Sequence, residues 1–154
     1  HFNPVVSLIF WFKKIISLSD LVAYVLFQII GAIFGCLAAN IIFELPIITI
    51  STNVRHDLSQ FLSEILATFG LVLVIFLARE VARLNIPVLV GSYIASAYWF
   101  TSSTSFANPA VTIARQFSDT FTGISPSGIP SFVLAQIFGA ILGYIVVRWL
   151  FRGV

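Results

Sequence analysis

Charge is what this sequence has least of. Asp, Glu, Lys and Arg make up 9% of its 154 residues, whereas 59% are hydrophobic. Soluble domains carry about a quarter charged residues, and a domain this size has no interior large enough to hide so much apolar surface from water. A water-soluble globule is therefore excluded, and membrane residence follows. The single cysteine, Cys36, rules out an intrachain disulfide; set in an apolar run, it reads as a small packing residue. Methionine is absent, even at position 1, and no signal peptide opens the chain, which reads as a fragment or processed product. A net charge of +2 without a basic cluster gives nucleic acid no foothold. The two histidines, His1 and the loop residue His56, form no triad or metal cluster. No catalytic residue, metal or cofactor is expected, and the protein is not expected to be an enzyme.

What is present is apolar length. Four stretches can cross a hydrocarbon layer of about 30 Å as helices rising about 1.5 Å per residue. They run over 21–43, 61–78, 86–104 and 131–150. The third is short and gains its length only if residues 102–104 continue the helix. The expected fold is all-α and integral to the membrane, in a single domain over 1–154. Pairing Lys13 and Lys14 with Arg79, Arg83, Arg148 and Arg152 puts six of the eight Lys/Arg on one side. Only Arg55 and Arg115 remain opposite, the asymmetry of the positive-inside rule.

A phrase also occurs twice. Asn3-Pro4-Val5-Val6-Ser7-Leu8 returns as Asn108-Pro109-Ala110-Val111-Thr112-Ile113. Each copy is followed by an apolar signature, Gln28-Ile29-x-Gly31-Ala32-Ile33-x-Gly35 and Gln136-Ile137-x-Gly139-Ala140-Ile141-x-Gly143. Asn is a favoured N-cap and Pro a favoured first helical residue, so each Asn-Pro starts a helix. These helices extend only over 3–14 and 108–121, about half a span each. The Gln28 and Gln136 helices lie three crossings apart and run in opposite directions, which makes the repeat inverted and places a pathway near the midplane. Two half-helix N-termini meeting there, with the amides of Asn3 and Asn108 as donors, favour a neutral permeant that accepts hydrogen bonds and disfavour cations. Gly31/Gly35 and Gly139/Gly143 read as close helix-packing notches.

With its paired Asn-Pro motifs, the chain resembles the aquaporin (major intrinsic protein) family over essentially its whole length. His1-x-Asn3-Pro4 looks like the first family motif, with Val5 in place of the usual Ala, Asn108-Pro109-Ala110 like the second, and Glu64-x-x-x-Thr68-Phe69 like the start of a fourth span. The resemblance implies six spans plus two half-helices, one pore per subunit and a homotetramer. On that plan the chain begins at the first half-helix, without spans one and two. It also implies that Glu64 holds backbone of the re-entrant loop, with Gln28 and Gln136 as further structural support. Water-selective members carry Arg three residues after the second Asn, where this chain has Val111. The other filter positions fall on Ser96 and Ser105, and the fourth lies outside the chain. Such a filter is wider and less polar than a strict water filter. The string from Asn108 to Arg115 is similar to a bacterial subgroup associated with uncharged arsenicals.

Arg115, close to two turns beyond Asn108 and about 10 Å further out, reads either as an outer-vestibule cation or as an i,i+4 partner of Asp119. The expected function is a passive channel for water and small uncharged solutes in a bacterial inner membrane, with lipid as its surroundings and no nucleic-acid partner. Two other readings stand beside it. One is a non-conducting fragment with an assembly role. The other is an ion-coupled secondary transporter, for which the spans offer no ionisable residue besides Glu64.

Overall fold

The computed structural model describes residues 1–81 and 85–151. Six α-helices follow one another: α1 (Pro4–Phe12), α2 (Leu18–Ile42), α3 (Leu58–Val81), α4 (Ile86–Phe100), α5 (Pro109–Ala114) and α6 (Ile129–Leu150). Single 3₁₀ turns lie at Arg115–Phe117 and Pro126–Gly128, and no strand occurs among the described residues. Three helical segments are long and apolar enough to cross a membrane: Leu18–Ile42, Leu58–Arg79 and Pro126–Leu150. Of the cations sorted by side, Arg83 and Arg152 lie outside the described residues.

Local chemistry sets the helix starts. Asn3 caps α1 and Asn108 caps α5, each with Pro next in the chain. Between α1 and α2 the chain reverses through Lys14 at φ 58°, and Ser17 and Asp20 then close a reciprocal capping box that starts α2 at Leu18.

Two helix ends differ from the sequence expectation. α4 stops at Phe100, short of 104, because Thr101 is extended and Thr104, Ser105 and Ala107 take left-handed φ values of 63°, 48° and 46°. The chain there leaves the helix to meet α3. The second half-helix is likewise shorter than 108–121: α5 ends at Ala114, and the chain tightens into a 3₁₀ turn. The carbonyls of Gln116 and Phe117 are taken by the N–H groups of Ser51 and Thr49 in the loop joining α2 to α3, which ends the helical ladder.

The bundle is held by α3 against α6, with α1 laid across the pair. Val5, Val6, Ile9 and Phe10 of α1 share one core with Val72 and Phe76 of α3 and Ala140 and Val147 of α6. Apolar burial drives little association in lipid, so close approach and buried polar bonds must do it. Gly139 and Gly143 permit that approach. A Cβ on Gly139 would collide with the Ile65 carbonyl, and one on Gly143 would stand 2.9 Å from Val72 Cβ. The matching pair on α2 behaves differently: a Cβ at Gly31 or Gly35 would meet nothing within 4 Å. The notch expected there has no packing partner among the described residues, and more than half of α2 is exposed, the rest facing α1 and α5.

Candidate functional site

The two Asn-Pro turns meet. Asn3 Oδ1 accepts the Val5 N–H, and its Nδ2 donates to the carbonyl of Ala107, the residue before Asn108, at 2.7 Å. Asn108 Oδ1 accepts the Ala110 N–H, and its Nδ2 donates to the carbonyl of Phe2, the residue before Asn3, at 2.9 Å. Each side chain thus caps its own helix and grips the other turn. The sequence placed both amide donors towards a lumen, but half of that capacity goes to the opposite backbone. An amide has two N–H donors, so one remains on each Asn.

Behind the turns the repeat continues in the hydrogen bonds. Gln28 Nε2 donates to Ser7 Oγ at 3.0 Å, and Gln136 Nε2 to Thr112 Oγ1 at 2.8 Å. Ser7 and Thr112 each stand four residues past their Asn, and both are fully buried. The Gln side chains were read from sequence as supports, but their hydroxyl partners carried no sequence signal.

Glu64 is fully buried on α3 and saturated. One carboxylate oxygen accepts Ser103 Oγ at 2.6 Å and the Phe106 N–H at 2.9 Å. The other accepts the Ala107 N–H at 2.8 Å and Gln136 Nε2 at 2.6 Å. These four bonds hold the left-handed segment that delivers Asn108, so the backbone conformation of Thr104, Ser105 and Ala107 is set by a carboxylate on another helix.

A cleft of about 450 Å³ opens on one side of the Asn pair, lined by both Asn3 and Asn108, by apolar residues such as Leu71 and Val90, and by Arg79. Pro4, Val5, Pro109 and Ala110 lie packed behind the Asn side chains, Val5 in the α1 core. On the other side the three filter positions are only partly assembled. Ser105 is 4% exposed and its Oγ has no partner. Val111 leans on Phe106, Ile124 and Phe132 and faces a groove shared with Cys36 and Arg115. Ser96 stays exposed on α4 and donates to its own helix at the Ser92 carbonyl.

Arg115 and Asp119 do not pair, contrary to one reading of their spacing. The 3₁₀ turn breaks the helical register, and Asp119 Oδ1 accepts the Thr52 N–H at 2.9 Å instead. Arg115 lines the α2–α5 groove beside Cys36 and Ala39.

Sequence reasoning missed Arg55. The sequence placed it only on the less basic side, whereas the structure leaves it 7% exposed, and its guanidinium donates to the carbonyls of Ser103 and Phe121 at 2.9 and 2.6 Å. The loop from 43 to 57 has no periodicity to reveal this. Its path is fixed by bonds to the distant 115–125 segment, among them Asn53 Nδ2 to the Thr120 carbonyl and the Ser125 N–H to the Asn53 carbonyl.

Two capped half-helices joined at their N-termini within a bundle of apolar spans define an integral membrane protein, and residues 1–102 match the family model described as major intrinsic protein. The chain belongs to that family. It is 47% identical over 152 residues to the protein named aquaglyceroporin AqpS of Rhizobium meliloti (strain 1021), covering 99% of this chain and 65% of that protein. The chain thus spans just under two thirds of the length of the curated relative it matches.

Proposed function

We propose that the intact protein is a passive transmembrane channel for water and small uncharged solutes, of the size of glycerol or metalloid hydroxides, in a bacterial plasma membrane. The observation that carries this reading is the reciprocal bonding of Asn3 and Asn108 across the meeting point of two half-helices. Irregular backbone at membrane depth is tolerated only inside protein or along a wet cavity. The cleft beside the Asn pair is such a cavity, and the spare N–H of each amide offers a permeant a replacement for a lost water bond. The name aquaglyceroporin carried by the rhizobial relative supports the same class of solute. In the family plan each subunit of a homotetramer holds its own pore, with Asn3 and Asn108 facing the path and Pro4, Val5, Pro109 and Ala110 holding them from behind.

Selectivity is assigned to Ser96, Ser105 and Val111. Val111 offers no hydrogen bond and no charge, so the constriction is wider and less polar than one built around Arg. The unpartnered Ser105 hydroxyl then supplies a directional contact where few others exist. The carboxylate beside the turns, Glu64, is saturated by four bonds, which argues against its carrying an ion in a coupled transporter.

The test is Val111→Arg in proteoliposomes of the intact protein. Glycerol or arsenous acid flux should fall by roughly tenfold or more, the scale on which a changed pocket contact discriminates between substrates, while osmotic water flux stays measurable by stopped-flow light scattering. Parallel loss of both fluxes would remove Val111 from the filter. Saturable uptake dependent on an ion gradient would replace the channel with a transporter.

A further inference from the structure

Arg55 is a buried cation whose charge the fold does not neutralise. It arrives on the α2–α3 loop, far in sequence from either Asn-Pro turn, and ends among the residues that lead into the second one. Nη1 donates to the Ser103 carbonyl and to Thr104 Oγ1 at 3.4 Å, and Nη2 donates to the Phe121 carbonyl. Its Cζ stands 5.5 Å from the centre of the Phe106 ring. That ring stacks edge-on with Phe132 and belongs with it and Ile124 to the cluster against which Val111 packs. The guanidinium therefore lies over one ring of the cluster that Val111 packs against, and Ser105 sits in the chain between two of its contacts, Thr104 and Phe106.

The acceptors that hold Arg55 are neutral. No carboxylate lies within ion-pair distance among the described residues: Glu64 is occupied by its four donors, and Asp119 by Ser51 and Thr52. Burial lowers the Arg55 pKa, Glu64 pulls it the other way, and the like charge of Arg115 lowers it further. An arginine stays protonated regardless. Of its five N–H donors, three are used; Nε–H and one Nη2–H have no protein acceptor among the described residues. A loop latch needs no net charge, and burying one without a counter-ion is costly. The arrangement makes sense if the charge itself is used.

We propose that Arg55 is a specificity-determining residue of the conduit: carried in by the loop, its guanidinium adds a buried, fixed positive charge to that of Arg115 at the Val111 end and excludes small cations there. This rests on the channel reading above. The filter would then divide between two positions what one side chain can do alone, with Val111 setting the width and Arg55 the charge.

The experiment uses proteoliposomes of the intact protein, with osmotic water flux, glycerol flux and uptake of methylammonium as a cationic probe. Arg55→Ala and Arg55→Gln should each raise methylammonium uptake by about tenfold or more, the scale on which a focused charge changes local ion concentration. Arg55→Lys should keep uptake low, because it keeps the charge although a point-charge ammonium cannot reproduce the three-acceptor hold. Adding Val111→Arg to Arg55→Ala should restore exclusion. A latch alone predicts the opposite, with Lys as leaky as Ala and no rescue from Val111→Arg, and that result overturns the proposal. So does cation uptake unchanged in both Ala and Gln variants. Wild-type vesicles that fail to conduct water would instead overturn the channel reading, and the role of Arg55 with it.

Discussion

Glu64→Ala is expected to strip the protein of most of its folded population. The substitution deletes the acceptor for two backbone N–H groups, one hydroxyl and one amide, all buried. Each buried donor left unpaired costs about 1–3 kcal/mol, so the sum is on the order of 4 kcal/mol or more. That is comparable with the whole stability of many domains. The segment 103–107 would have no reason to keep three left-handed residues, and Asn108 would lose its placement. The check is thermal unfolding of the purified protein in detergent together with water flux per folded protein. Glu64→Gln provides a graded comparison. It keeps one acceptor oxygen but sets an NH2 against two existing donors, so it should fall between wild type and Ala. An Ala variant unfolding within a degree or two of wild type would show that the carboxylate is dispensable.

Gly139→Leu is expected to have the next largest effect, by separating α3 from α6. Even a methyl at this position meets the Ile65 carbonyl, and backbone cannot swing aside as a side chain does. Overpacking commonly costs about 1–3 kcal/mol, and here the strain spreads. Gln136, one turn before Gly139, reaches both Glu64 and Thr112, and α1 is bedded on the α3–α6 pair. Gly139→Ala should cause a smaller loss than Leu in the same unfolding measurement. Equal and minor losses for both would mean that the helices have room to part without consequence.

What could be read from the sequence was what is local. Asn followed by Pro announces a helix start whatever surrounds it, so both caps and the shortness of the helices behind them were legible. So was the apolar length of α2, α3 and α6, since composition alone measures it. What could not be read depends on chain returning from afar. Thr101 to Ser105 is a run of small hydroxyl residues that a few more residues of helix would tolerate, and only the bonds of this segment to Glu64 show why α4 stops. The spacing of Arg115 and Asp119 fits a helical ion pair, but loop residues Thr49 to Thr52 claim the backbone and carboxylate that such a pair needs. Arg55 is the clearest case. Its neighbours Val54 and His56 are ordinary loop residues, and nothing in its own segment distinguishes a solvated side chain from one inserted beneath a distant turn.

The crossed grip of Asn3 and Asn108 also limits how the protein can move. Either half-helix could withdraw only by breaking both crossed bonds at once, because each turn is a donor and an acceptor to the other. The two copies are therefore tied to each other at the middle of the molecule. Both ends differ from this centre in how they are held: the Arg55 loop is tied at one mouth by bonds to the 115–125 segment, and Arg79 lines the cleft at the other.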